Sequence, residues 1–144
     1  MAIILALNPA PIEILKAVDG WVKLLEQEDY QSAYEYTEQN TYYKWSPKLI
    51  QAVIYGYGLP VLHANGEVYR ITCSDTATED GRRPQHEINY LEEPLPYEEK
   101  EAEIIGQIWY DLPLNGKWSD LTATFKIVRK NTHLTLELAE IHVF

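Results

Sequence analysis

The chain has 144 residues and a mass of 16.7 kDa, enough for one ordinary core and too little for two, so a single domain over 1–144 is expected. Its 46% hydrophobic and 24% charged residues exclude collagen-like, disordered and membrane-spanning classes. A formal net charge of -10 and a pI near 4.8 argue against nucleic acid as a partner, because a phosphate binder normally carries a basic excess.

The chain opens on an apolar run, 1–7, with no Lys or Arg ahead of it, stopped by Asn8-Pro9. That is too short for a membrane span and lacks the charged start of a signal peptide, so a short strand or turn against the core is expected. Cys73 has no second cysteine to pair with, which fits a reducing compartment and a cytoplasmic location.

Apolar residues Ile12, Leu15, Val18, Val22 and Leu25, widened by Trp21 and Leu24, recur at threes and fours and predict a helix over 11–28. Asp29 is placed to cap a second, over 30–38. Ser46-Pro47 is a cap followed by proline at the first helical position, with Leu49, Ile50, Val53 and Ile54 as its buried stripe and Gly56 and Gly58 at its end.

Beyond Pro60 the period falls to two. Strands are expected over 67–73, 85–91, 103–111, 118–129 and 133–143, with a polar connection through Asp80-Gly81. Asn115-Gly116 favours a turn with positive φ, and Lys130-Asn131-Thr132 suits a tight hairpin. Leu121, Ala123, Phe125 and Ile127 alternate with Thr122, Thr124 and Lys126, giving one apolar and one wet face. In the last strand Leu134, Leu136 and Leu138 share a parity that Ile141 and Val143 break, so a bulge near Ala139 and Glu140 is expected. Together these predict an α+β domain: N-terminal helices packed on a curved, mostly antiparallel sheet.

Acidity is concentrated in 75–103, which holds 10 acidic and 3 basic residues, whereas 104–144 holds 4 of each. Glu92, Glu93, Glu98, Glu99, Glu101 and Glu103 flank Pro94 and Pro96, a pattern that reads as an exposed, extended loop.

The helices-first order, Trp21 and Leu25 in the first helix, Asp29-Tyr30 with Ala33-Tyr34, and a bulged last strand resemble the nuclear-transport-factor-two-like superfamily, also called cystatin-like. The run from Trp109 to Phe125 (Trp-Tyr-Asp-Leu-Pro-Leu-Asn-Gly-Lys-Trp-Ser-Asp-Leu-Thr-Ala-Thr-Phe), with Ile141-His142-Val143, is similar to a bacterial family within it. The resemblance implies a cone-like roll with a cavity between sheet and helices. In relatives this cavity holds small apolar ligands or supports isomerase, dehydratase or epoxide-hydrolase chemistry, and the open sheet face often forms a homodimer.

Candidate ligand contacts are Trp109, Asp111, Trp118, Asp120 and His142, acids and aromatics near strand ends. Asp111, before Leu112-Pro113, also suits a carboxylate bonding turn amides, and parity puts Asp120 with Thr122 on the wet face. His142 points outward if the bulge turns Ile141 and Val143 inward. No metal site is expected: His63, His86 and His133 lack ligand spacing. No cofactor is implied, since Gly56-Tyr57-Gly58 lacks the rest of a phosphate loop, and Cys73 has no basic neighbour to lower its thiol pKa. The tyrosines Tyr30, Tyr34, Tyr36, Tyr42 and Tyr43, with Trp45, suit a pocket rim or a partner surface.

With no convincing catalytic set, the expected function is a small domain that binds a small molecule or a protein. One alternative is a bacterial immunity or antagonist protein that meets a basic toxin through Glu98, Glu99 and Glu101. The other is an isomerase or lyase with a carboxylate in the cone.

Overall fold

The computed structural model describes residues 2–39, 42–79, 83–98 and 101–144. Among the described residues three helices precede four strands: α1 (Pro11–Glu26), α2 (Tyr30–Tyr36), α3 (Pro47–Tyr55), β1 (His86–Pro96), β2 (Glu103–Leu114), β3 (Lys117–Arg129) and β4 (Leu134–Val143). The strands form one antiparallel sheet in the order β1-β2-β3-β4, an α+β meander with the helices on one face.

Local chemistry sets each helix. Pro11 opens α1, and Glu13 accepts from the Ala10 amide at 3.2 Å. Asp29 caps α2 by accepting from Ser32 N at 3.1 Å, and Ser46 caps α3 through Leu49 N at 3.0 Å. The buried face of α1 is Ile14, Ala17, Val18, Trp21, Val22 and Leu25. Ile12, expected in that stripe, is 58% exposed, since it lies in the first turn on the side away from the sheet. α2 stops at Tyr36, two residues early, where Thr37 turns extended.

Trp21 meets Phe125 edge-on at 5.1 Å in the centre of the core, and both are fully buried. Truncating Trp21 to alanine would cost about 3–5 kcal/mol. The opening segment lies on the same core, with Leu5 bridging Leu134 and Ile3 N donating to Tyr36 O at 2.8 Å.

The bulge in β4 is present: Thr124 pairs with Glu140 and Phe125 with Leu138, leaving Ala139 as the extra residue. Ile141 is thereby buried and His142 exposed, as the parity break requires. The face of β3 expected to be wet is not. Thr122 and Thr124 are buried, and so are Thr135 and Glu137 of β4. Tyr97 crosses this face to donate to Glu137, while the Tyr43 ring lies 5.4 Å from the Lys126 ammonium.

Two expectations in the middle of the chain are corrected. Residues 67–73 form no strand; their ladder contact is one bridge, Ile71 to Leu114. The acidic run is a loop only in part: 92–96 continue β1 as an exposed edge strand, with a bulge between Tyr90 and Leu95, and Glu103 opens β2, whereas Glu98 and Glu101 lie in the connection between the two strands. Asp80-Gly81 lies outside the described residues.

Candidate functional site

The β2–β3 hairpin turns at Asn115 and Gly116, with φ of 50° and 84°, the left-handed pair that a two-residue turn requires. The segment 70–78 clasps this turn. Thr72 N donates to Pro113 O (3.0 Å), Asn115 N to Arg70 O (3.0 Å), Gly116 N to Thr72 Oγ1 (2.8 Å) and Trp118 N to Thr78 O (2.9 Å). Backbone pairing with a turn carries no two-residue period, which is why the sequence gives it no strand or helix signature.

Beside the clasp β3 carries a wide irregularity. Asp111 pairs with Thr122 but Pro113 with Trp118, so Ser119, Asp120 and Leu121 stand opposite Leu112 alone. Ser119 fills the gap, its hydroxyl donating to Leu112 O at 2.7 Å and accepting from Leu121 N at 3.2 Å. The extra residues re-aim Asp120. It does not share the surroundings of Thr122 as alternation predicts; it faces Tyr57, whose hydroxyl donates to it.

These features enclose a cleft of about 570 Å³, walled by Tyr57, Tyr69 and Trp118, with Glu67, Glu79, Asp120 and Lys117 around it. The volume suits a small ligand. Tyr57 and Tyr69 meet at 4.7 Å and 64°. Burial, reinforced by the bond to Asp120, pushes the Tyr57 hydroxyl up to about 12. Tyr69 is also raised, chiefly by its hydrogen bond to Glu67. Both phenols therefore stay protonated donors at neutral pH. Tyr57 sits just past α3 at φ 55°, a left-handed conformation costly for a side chain with a Cβ.

Behind Trp118 the aromatic wall continues inward. His86 meets Trp118 at 5.0 Å and stacks on Tyr110 at 3.8 Å, with 7° between the planes. Burial lowers the His86 pKa, opposed in part by its Nε2 bond to Asp111 O at 3.2 Å. The Tyr110 hydroxyl lies 3.5 Å from Asp19, which also accepts from Ser74 Oγ at 2.7 Å and pairs with Lys23 at 3.3 Å. Burial first, and the Asp19 charge second, raise the Tyr110 hydroxyl. Asp19 escapes sequence reasoning because its signal is only a polar residue within an amphipathic helix.

The five expected ligand contacts fall in three places. Trp118 and Asp120 line the cleft. Asp111 is 2% exposed and locked, accepting from Thr122 Oγ1 at 2.7 Å and Gln85 N at 2.9 Å. Trp109 and His142 gather around Phe144, at 4.5 and 5.2 Å, on the sheet face turned away from the helices. Sequence reasoning missed Tyr57, Tyr69 and Glu67; Tyr57 in a Gly-Tyr-Gly helix end was the available signal.

Of the expected partner contacts, Glu98 is exposed and Glu101 accepts from Asn131 Nδ2 at 3.0 Å, while Glu99 lies outside the described residues. Among the described residues no group of three or more His, Cys, Asp and Glu could hold a metal ion, and no helix is long and apolar enough to cross a membrane. Comparison with protein-family models, with curated proteins and with solved structures finds no match.

Proposed function

We propose that the chain is a binding module whose cleft at the β2–β3 turn takes a small molecule without transforming it. The observation that carries this reading is the aromatic cleft itself, with Tyr57, Tyr69 and Trp118 held in place by the clasp and the β3 bulge. The Tyr57 hydroxyl donates to Asp120 and is raised to about 12, so it does not exchange a proton at neutral pH, and its ring fits a wall of the cleft better than acid–base work. The architecture is read as a nuclear-transport-factor-two-like roll, in which the open sheet face would pair two copies. In such a roll catalysis uses the space between sheet and helices, which Trp21 and Phe125 occupy here.

A thermal-shift screen against a metabolite library, with mass spectrometry of the hits, tests the reading. A ligand that raises Tm and is recovered unchanged is expected. Turnover that Asp120→Asn abolishes would replace binding with the isomerase or lyase alternative.

The edge strand favours a second reading, recognition of a basic protein. Glu87, Glu92, Glu93 and Glu98 are all exposed along β1 and its end. The same charges would also protect an unpaired edge from self-association. Reversing Glu92, Glu93 and Glu98 to lysine separates the two: loss of a captured basic partner supports recognition, whereas self-association alone supports edge protection.

A further inference from the structure

We infer that the ligand of this cleft is an organic cation with an apolar body, a deeper reading that rests on the cleft being a ligand site. Three aromatic side chains form its walls, and aromatic faces attract ammonium and guanidinium groups while also covering apolar surface. Glu67, Glu79 and Asp120 stand around those rings, and Lys117 is the only cation among the described lining residues. The cleft therefore carries a net negative charge, in a chain whose overall charge of -10 adds to the same field.

The hydrogen bonds sharpen the choice. The Tyr57 hydroxyl is committed to Asp120, and Tyr69 shares the cleft lining with Glu67, whose carboxylate raises its pKa. An anionic ligand would meet three carboxylates against one ammonium, and the Tyr57 donor that could receive it is already engaged. A neutral apolar ligand would strip water from the carboxylates and offer them nothing in return. A cation satisfies both constraints: its charge meets Asp120 and Glu67, and its body lies against Trp118 and the paired tyrosine rings.

Three probes that share one body and differ in charge test this: benzyltrimethylammonium, benzyl alcohol and benzoate. Each is titrated into 15N-labelled protein while the Trp118 Nε1–H resonance is followed. The cation is expected to shift Trp118 saturably and bind at least tenfold tighter than the alcohol, with benzoate giving no saturable shift. Asp120→Asn and the more exposed Glu67→Gln should each weaken the cation at least threefold while leaving the rest of the spectrum in place. Equal binding of the alcohol or of benzoate overturns the cation inference and leaves the cleft as a ligand site. If no probe moves Trp118 the inference also falls, and the binding reading is then decided separately by the metabolite screen.

Discussion

The hydroxyl of Tyr57 donates to the carboxylate of Asp120, tying the end of α3 to the β3 bulge across 63 positions of sequence. Tyr57 lies past the end of α3, and Asp120, though within β3, has no register partner on either neighbouring strand. Tyr57 takes a left-handed backbone conformation, and Asp120 stands where three residues of β3 oppose one of β2. Tyr57→Phe keeps the ring and removes the donor, so a loss of about 1 kcal/mol is expected in urea denaturation. No change in stability would mean that the bond does not hold the cleft together.

A buried carboxylate makes the far sheet face more sensitive. Glu137 is 0% exposed; Tyr97 donates to its Oε1 at 2.9 Å, and the Lys126 ammonium lies 3.9 Å from its Oε2. Tyr97→Phe strands that carboxylate in the interior, at an expected cost of about 2 kcal/mol. Adding Glu137→Gln should recover part of the loss, because an uncharged amide is cheaper to bury than a carboxylate. Denaturation of the two single variants and the double variant gives the coupling directly.

His86 supplies a pH signature. Its folded-state pKa is lowered, chiefly by burial, so as pH falls the unfolded chain takes the proton first. The stability contributed by neutral His86 is complete above its unfolded pKa of about 6.5 and is lost as pH falls toward the lower folded value. Between pH 7 and pH 5 the native chain should lose more stability than His86→Gln, as read by Tm across that range. Parallel curves would show that His86 titrates alike in both states.

The β2–β3 turn depends on Gly116, whose φ of 84° suits glycine. An added Cβ would meet nothing within 4 Å, so the cost of Gly116→Ala is that of the backbone alone, about 1 kcal/mol. Thermal denaturation measures it, and a much larger loss would show that the clasp of 70–78 fails together with the turn.

The helices and the meander were legible because their signals are local. Asp29 and Ser46 mark caps, Asn115-Gly116 marks a turn, and the parity break at Ala139 marks a bulge. The site was only half legible. Trp118 and Asp120 could be chosen as an aromatic and an acid at a strand end, but the direction of Asp120 depends on a bulge whose trace is the odd spacing from Trp118 to Leu121. Tyr69 and Glu67 reach the cleft through a segment held by hydrogen bonds to a turn more than 40 residues away, such as Gly116 N to Thr72 Oγ1 with a separation of 44. No periodicity records such a contact. Acidity had a clear position but an unclear form, since Pro94 and Pro96 suggested a loop where an edge strand runs.

The most direct test of the account is the dissociation constant of one ligand from the metabolite screen, measured by calorimetry on three proteins. Besides the native chain these are Trp118→Ala and Leu91→Ala; Leu91 lines a second cleft of about 380 Å³ near Leu7 and Arg129. The account predicts at least a tenfold loss of affinity for Trp118→Ala and a change of less than about twofold for Leu91→Ala, with each variant still folded. Unchanged affinity in Trp118→Ala, or a loss confined to Leu91→Ala, would contradict it.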